Sequence, residues 1–131
     1  MTFEWRGLLD DAEMVDLVLS HGGNPERGWW DRVRAQSLGW VTARSSDGEL
    51  VGFVNVAWDG GDHAFLLDPK TRGSFQHQGI GTRLVGVAVE NAKEAGCEWL
   101  HVDFERGLRA FYFNACGFRP TDAGLIDLRS A

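Results

Sequence analysis

The apolar positions of this chain change period several times, and each change marks an element. Asp10 or Asp11 can cap a helix in which Met14, Val15, Val18 and Leu19 form the inward stripe, until Gly22 and Gly23 stop it. Asn24, Pro25 and Glu26 read as cap, first position and first-turn acid of a second helix. It carries Trp29, Trp30 and Val33 and ends by Gly39. Period 2 then takes over in residues 40–44, 50–58 and 63–68. Ser46-Asp47-Gly48 and Asp59-Gly60-Gly61 separate these strands and Pro69 halts the third, which predicts an antiparallel meander.

The helical period returns with Ile80, Leu84, Val87, Ala88, Ala92 and Ala95, and Gly96 closes it. Residues 97–104 read as a strand with Leu100, Val102 and Phe104 on one face. A helix with Leu108, Phe111, Tyr112, Ala115 and Cys116 on its apolar side runs to Gly117, and residues 125–128 form a last strand. The order ααβββαβαβ predicts an α+β domain with a mixed sheet. No linker divides it, so residues 1–131 are expected to form a single domain.

Composition narrows the function. Hydrophobic residues make up 44% and charged residues 24%, as in an ordinary globular protein. The 19 acidic side chains outnumber the 13 basic ones, and the formal charge is -6. A nucleic-acid partner is therefore not expected, while the acidity suits a cationic or amine partner. No apolar run approaches the roughly 20 residues that span a bilayer, no secretory leader opens the chain, and Cys97 and Cys116 lack metal spacing. A cytoplasmic protein with reduced thiols and neither a metal nor a membrane partner is expected.

The most informative stretch is Gln76-His77-Gln78-Gly79-Ile80-Gly81-Thr82, at the entry to the best helix in the chain. A helix start leaves about four backbone N–H groups unpaired at the positive end of its dipole. Glycines at 79 and 81 let an anion approach those donors with no Cβ in the way. The stretch thus reads as a diphosphate cradle. It is not a nucleoside-triphosphatase loop, because GxxxxGK[ST] is absent. It is not a dinucleotide fingerprint either, because it follows a meander and lacks GxGxxG.

Gln76-His77-Gln78-Gly79-Ile80-Gly81 resembles the Gln/Arg-x-x-Gly-x-Gly/Ala signature of the GNAT superfamily of N-acetyltransferases. Residues 111–120, FYFNACGFRP, are similar to that superfamily's late helix and "GF" segment, and the element order matches over nearly the whole chain. The resemblance implies a mostly antiparallel central sheet with flanking helices and an acyltransferase using acetyl-CoA as donor. The expected acceptor is a small-molecule or protein amine. An acyl-CoA-binding regulatory module without turnover, and a homodimer, stay open.

The resemblance also implies residue roles. The amides around His77, Gln78, Gly79, Ile80, Gly81 and Thr82 would hold the pyrophosphate of coenzyme A. Counting back from Gln76 places the pantetheine edge at Pro69, Lys70 and Thr71, although Pro69 has no N–H to give, so Leu67 and Asp68 can take that role. Lys70, Arg72 and Arg83 are candidates for phosphate contacts. Tyr112, the only tyrosine, is the candidate general acid, although many family members carry it four residues before the glycine of "GF", where this chain has Phe113. Asp103 and His101, on one face of a strand, are candidate bases beside Asp68 and His63. Trp29 and Trp30 point about 100° apart on one helix, so one of them is a candidate wall of the acceptor site. Asp31 or Glu26 is placed to attract the cationic amine.

Overall fold

A computed structural model describes residues 1–130. Five strands form one sheet in the order β1-β2-β3-β4-β5: Thr2–Trp5, Ser37–Arg44, Leu50–Trp58, His63–Thr71 and Trp99–His101. The first four pair antiparallel, and β5 pairs parallel with β4 over three residues only, His63↔Trp99 to Phe65↔His101. Beyond Phe65 the two strands part, and that divergence opens the sheet edge used by the site.

Helix α3, Ile80–Glu94, covers one side of the sheet with Ile80, Leu84, Val85, Ala88 and Ala92, packed with Val54 and Val56 of β3 and Leu66 of β4. Helices α1, Asp11–Ser20, and α2, Trp29–Arg34, bring Met14, Leu17 and Trp30 into a second cluster with Leu50 and Phe53. The alternation of β3 serves both clusters, because successive side chains point to opposite sides. The α+β class and the mixed, mostly antiparallel sheet agree with the sequence reading.

Several boundaries differ, each for a local reason. Strand β1 was not expected; four residues carry too little period, and β2 supplies its ladder. Helix α2 starts at Trp29, not at Asn24-Pro25. Gly28, at φ 81°, breaks the run, and its N–H donates to Asp11 Oδ1 at 2.9 Å. Leu19 is 58% exposed, and Leu17 instead completes the inward stripe with Met14. Pro69 does not halt β4, which continues to Thr71 through a bulge opposite Val54. Ala95 caps α3 in solvent. Residues 125–128 are not a strand; Leu125, Ile126 and Leu128 are 80%, 79% and 83% exposed.

Asp10 closes α1 with a capping box: its carboxylate accepts from Glu13 N–H at 2.8 Å, and Glu13 accepts from Asp10 N–H at 3.2 Å. Glu13 also accepts from Arg44 of β2 at 2.6 and 3.0 Å, and this guanidinium holds the Glu13 carboxyl below its ordinary pKa. A depressed carboxylate contributes stability above its unfolded pKa of about 4.3 and loses it as the pH falls through the folded value. Glu13→Gln keeps the cap acceptor and deletes the charge. It is therefore expected to cost up to about 1 kcal/mol at pH 7, since solvent still reaches the pair, with the gap to the parent closing below about pH 4. Urea midpoints across pH check this.

Candidate functional site

The site begins at the β4 bulge. Asp68 adopts φ 57°, a left-handed conformation that non-glycine residues avoid and that a following proline restricts further. The bulge turns the Asp68 carboxyl toward Asn55, a buried amide in the otherwise apolar β3. Ser37 Oγ donates to Asn55 Oδ1 at 2.6 Å, which leaves the amide N–H₂ of Asn55 free of that bond. Burial pushes the Asp68 carboxyl above its ordinary pKa, against the opposing pull of Lys70 and of Asn55. The neighbouring Lys70 is driven the other way: burial lowers its pKa, and the Asp68 charge offsets only part of that.

After β4 the chain makes a short 3₁₀ turn, Gly73–Phe75, and enters α3 through His77 at φ 62° and Gly79 at φ 79°. The first backbone bond into the helix is donated by Arg83 to the Gly79 carbonyl at 3.2 Å, and no side chain caps this end. The amides of residues 77–82 therefore face outward without a backbone partner among the described residues. A Cβ at Gly79 would meet nothing within 4 Å, so the space in front of this turn is open. Such a turn can accept an anion.

A cleft of about 470 Å³ runs from this turn along β4. Of the expected donor-binding residues, Lys70, Thr71, Gln76, His77, Gly79, Ile80, Gly81 and Thr82 line it, and Gln78 does not. Its far wall includes Phe111 and Tyr112. The late helix proves to be a π turn, Ala110–Ala115, after a 3₁₀ turn, Arg106–Leu108. Cys116 N–H donates to the Phe111 carbonyl at 2.9 Å, five residues back. This wider winding absorbs the additional residue between Tyr112 and Gly117, and it swings Tyr112, not Phe113, toward the cleft. Leu108 and Ala115, expected on the apolar side, are exposed.

Tyr112 is only 3% exposed and stacks on Phe104 at 4.5 Å. Its hydroxyl has no hydrogen-bond partner among the described residues, and burial first, then Cys116 and Asp103, raise its pKa. The phenol thus keeps its proton at neutral pH.

A second cavity of about 310 Å³ lies against α1 and the loop into α2. Met14, Val18, Pro25 and Trp29 supply its apolar wall, and Glu26, Asp68 and Lys70 its charges. Lys70 is common to both cavities. Trp29 faces this space, whereas Trp30 is fully buried beneath it against Trp40 and Phe53.

Other candidates lie elsewhere. His101 meets His63 at 2.7 Å and stacks on Phe65 at the outer sheet edge, and neither histidine lines either of these two cavities. Asp103 is exposed and reaches the site only as a charge near Tyr112. Residues 97–104 do not form one strand, because β5 ends at His101, so Asp103 lies beyond it. Arg72 is held by Asp16 at 2.8 Å and by the Leu50 carbonyl, and Arg83 lies over the Phe3 ring at 4.0 Å; both are thus engaged in the fold. Asp31 lines neither cavity; Glu26, although it lines the second cavity, pairs with Arg32 at 2.9 Å. Sequence reasoning missed His21 and Phe75, which line the cleft, and Asn55. A lone Asn among the valines of β3 was the available signal for the last.

Comparison with known proteins decides the family. The model of the Acetyltransferase (GNAT) family matches residues 6–118. The chain belongs to the GNAT acetyltransferase family. This acetyltransferase-family fold is similar to a protein from meticillin-resistant Staphylococcus aureus described as a probable acetyltransferase (TM-score 0.79, 19% identity, 96% of this chain and 98% of that one). It is also similar to a GNAT-family acetyltransferase from Streptococcus pneumoniae (0.77, 22%, 97% and 98%). A third similar structure is AAC(6')-Iy in complex with a bisubstrate analogue, CoA-S-monomethyl-acetylneamine (0.74, 18%, 97% and 97%). At these identities the structural likeness speaks for the fold alone. No curated protein matches the chain. Among the described residues no helix is long and apolar enough to cross a membrane.

Proposed function

We propose that this GNAT-family chain is an N-acetyltransferase that moves the acetyl group of acetyl-CoA to a primary amine by direct attack through a tetrahedral intermediate. The observation that carries the reading is that two cavities share Lys70 beside the β4 bulge: one begins at the unpartnered amides of residues 77–82, the other carries Trp29 and Asp68. Donor pyrophosphate rests on the turn at Gly79 and Gly81, and the pantetheine arm runs along the edge where β4 leaves β5. The neighbour holding a CoA-linked amine analogue supports a donor and an acceptor meeting in one such cleft.

The chemistry asks little covalent help of the protein. It needs two reactants held together, a proton removed from the ammonium and a proton given to the sulfur. A thiolate of reference pKa near 8.5 leaves readily, and Tyr112 stands in the cleft wall with its proton in place. Calorimetry with acetyl-CoA tests donor binding, and thiol release over a panel of primary amines tests turnover. Binding without release from any amine would favour a regulatory acyl-CoA-binding module.

Tyr112→Phe keeps the ring in its stack on Phe104 and deletes only the hydroxyl. Turnover is expected to fall by about tenfold or more, with donor affinity unchanged. Turnover within about twofold of the parent would assign the thiolate proton to solvent or to another side chain.

A further inference from the structure

The chain has only two lysines, Lys70 and Lys93. Lys93 is an exposed residue of the last turn of α3. Lys70 is the opposite case. Its Nζ donates to the Asp68 carbonyl at 3.2 Å and stands 5.3 Å from the centroid of the Trp29 ring and 5.8 Å from that of Phe53. It lies in the wall shared by the donor cleft and the α1-side cavity. A primary amine is thus already present where donor and acceptor are proposed to meet.

We propose that Lys70 is a self-acetylation site: with acetyl-CoA in the cleft and no acceptor in the neighbouring cavity, Lys70 Nζ takes the acetyl group. This rests on the donor-site reading given above. In the step, a C–N bond forms between Nζ and the thioester carbonyl carbon, and the C–S bond breaks. If Nζ starts as the ammonium it first gives one proton to solvent. The neutral amine then loses one proton on forming the amide, the departing sulfur gains one, and coenzyme A leaves as a thiol. Nothing is oxidised or reduced.

Three observations support the assignment. The amine is tethered at the junction, so attack is intramolecular and gains the effective concentration of a held reactant. Burial favours the neutral form that carries the nucleophilic lone pair. Lys70 makes no carboxylate ion pair among the described residues, so no salt bridge has to break to free its nitrogen, which is held only by the Asp68 carbonyl and the faces of Trp29 and Phe53. The product is an uncharged amide that adds its acetyl group at the common wall of the two cavities and removes the cation opposite Asp68.

Incubation of the full chain with acetyl-CoA alone, followed by peptide mass spectrometry, reads the result directly, with Lys93 as an internal reference. Acetyl is expected at Lys70 at least about tenfold faster than at Lys93, despite the greater exposure of the latter. The rate should saturate with acetyl-CoA, be independent of protein concentration, and vanish from Lys70 in Gly81→Glu, whose donor turn is blocked. In protein that binds acetyl-CoA by calorimetry, an unmodified Lys70, or one no faster than Lys93, overturns the proposal. A rate that rises with protein concentration, or Lys70 acetylation that persists in Gly81→Glu, overturns it as well. Absence of calorimetric binding to the parent chain would overturn the donor-site reading itself, and the proposal with it.

Discussion

Gly81→Glu is expected to lower the affinity for acetyl-CoA by about a hundredfold or more, because it sets a negative charge against a diphosphate at close range. Gly81 is the second residue of α3, inside the row of outward-facing amides. A Cβ there would approach the Phe111 ring to 3.1 and 3.3 Å, so a longer side chain must turn toward the cleft or displace that ring. Gly81→Ala separates the two effects. It adds the crowding against Phe111 but no charge, and a modest loss of affinity is expected. Calorimetry on both variants, with folding checked by thermal melting, reads the difference. Equal affinity in parent and folded Gly81→Glu would take the coenzyme away from this turn.

The largest stability effect is expected at Trp30. Trp30→Ala should cost roughly 3–5 kcal/mol, a large share of the 5–15 kcal/mol that holds a typical domain together. The indole is fully buried and packs edge-on to Trp40 at 4.9 Å and Phe53 at 5.0 Å. Trp29→Ala is expected to leave the melting temperature nearly unchanged and to raise the Michaelis constant of the amine, since this ring faces the α1-side cavity. Trp30→Phe adds a finer test. It loses area but also removes an indole N–H that is buried with no partner, so its cost should be well below that of Trp30→Ala. A chemical denaturation series on the three variants would check the ranking. Equal destabilisation by Trp29→Ala and Trp30→Ala would mean that both rings belong to the core.

Local patterns made the fold class and the glycine turn into α3 legible. The strand period of β3 and the helical period of α3 are long enough to stand without tertiary help, and each ends at a glycine turn visible in the chain, whereas β4 runs past the Pro69 expected to halt it. The unpaired amides at the start of α3 were legible for the same reason, since any helix start leaves them and Gly79 and Gly81 stand in the chain. The acceptor side was not. Asn24-Pro25-Glu26 has the composition of a helix start, yet the bond from Gly28 N–H to Asp11 draws that stretch into a loop, and the loop forms the cavity wall. Short or exposed segments fared worst. β1 exists because β2 offers a ladder, while residues 125–128 have strand composition and no partner.

By itself, then, the sequence determined the α+β class, the helix entered through the turn at Gly79 and Gly81, and the fact that Tyr112 is the only phenol available. Each of these depends on period, glycine placement or residue count, which are properties of neighbours along the chain. Tertiary structure decided which tryptophan is core and which is wall, since a 100° step on a helix gains meaning only once a sheet lies beneath it. It decided the direction of Tyr112, through a π turn whose i to i+5 bond no residue pattern announces. It also brought Asp68, Asn55 and Lys70 together at a bulge in β4, and with them the burial that moves the two charged groups from their ordinary pKa values. Proximity and desolvation arise only when distant segments pack, and so they were settled by the fold.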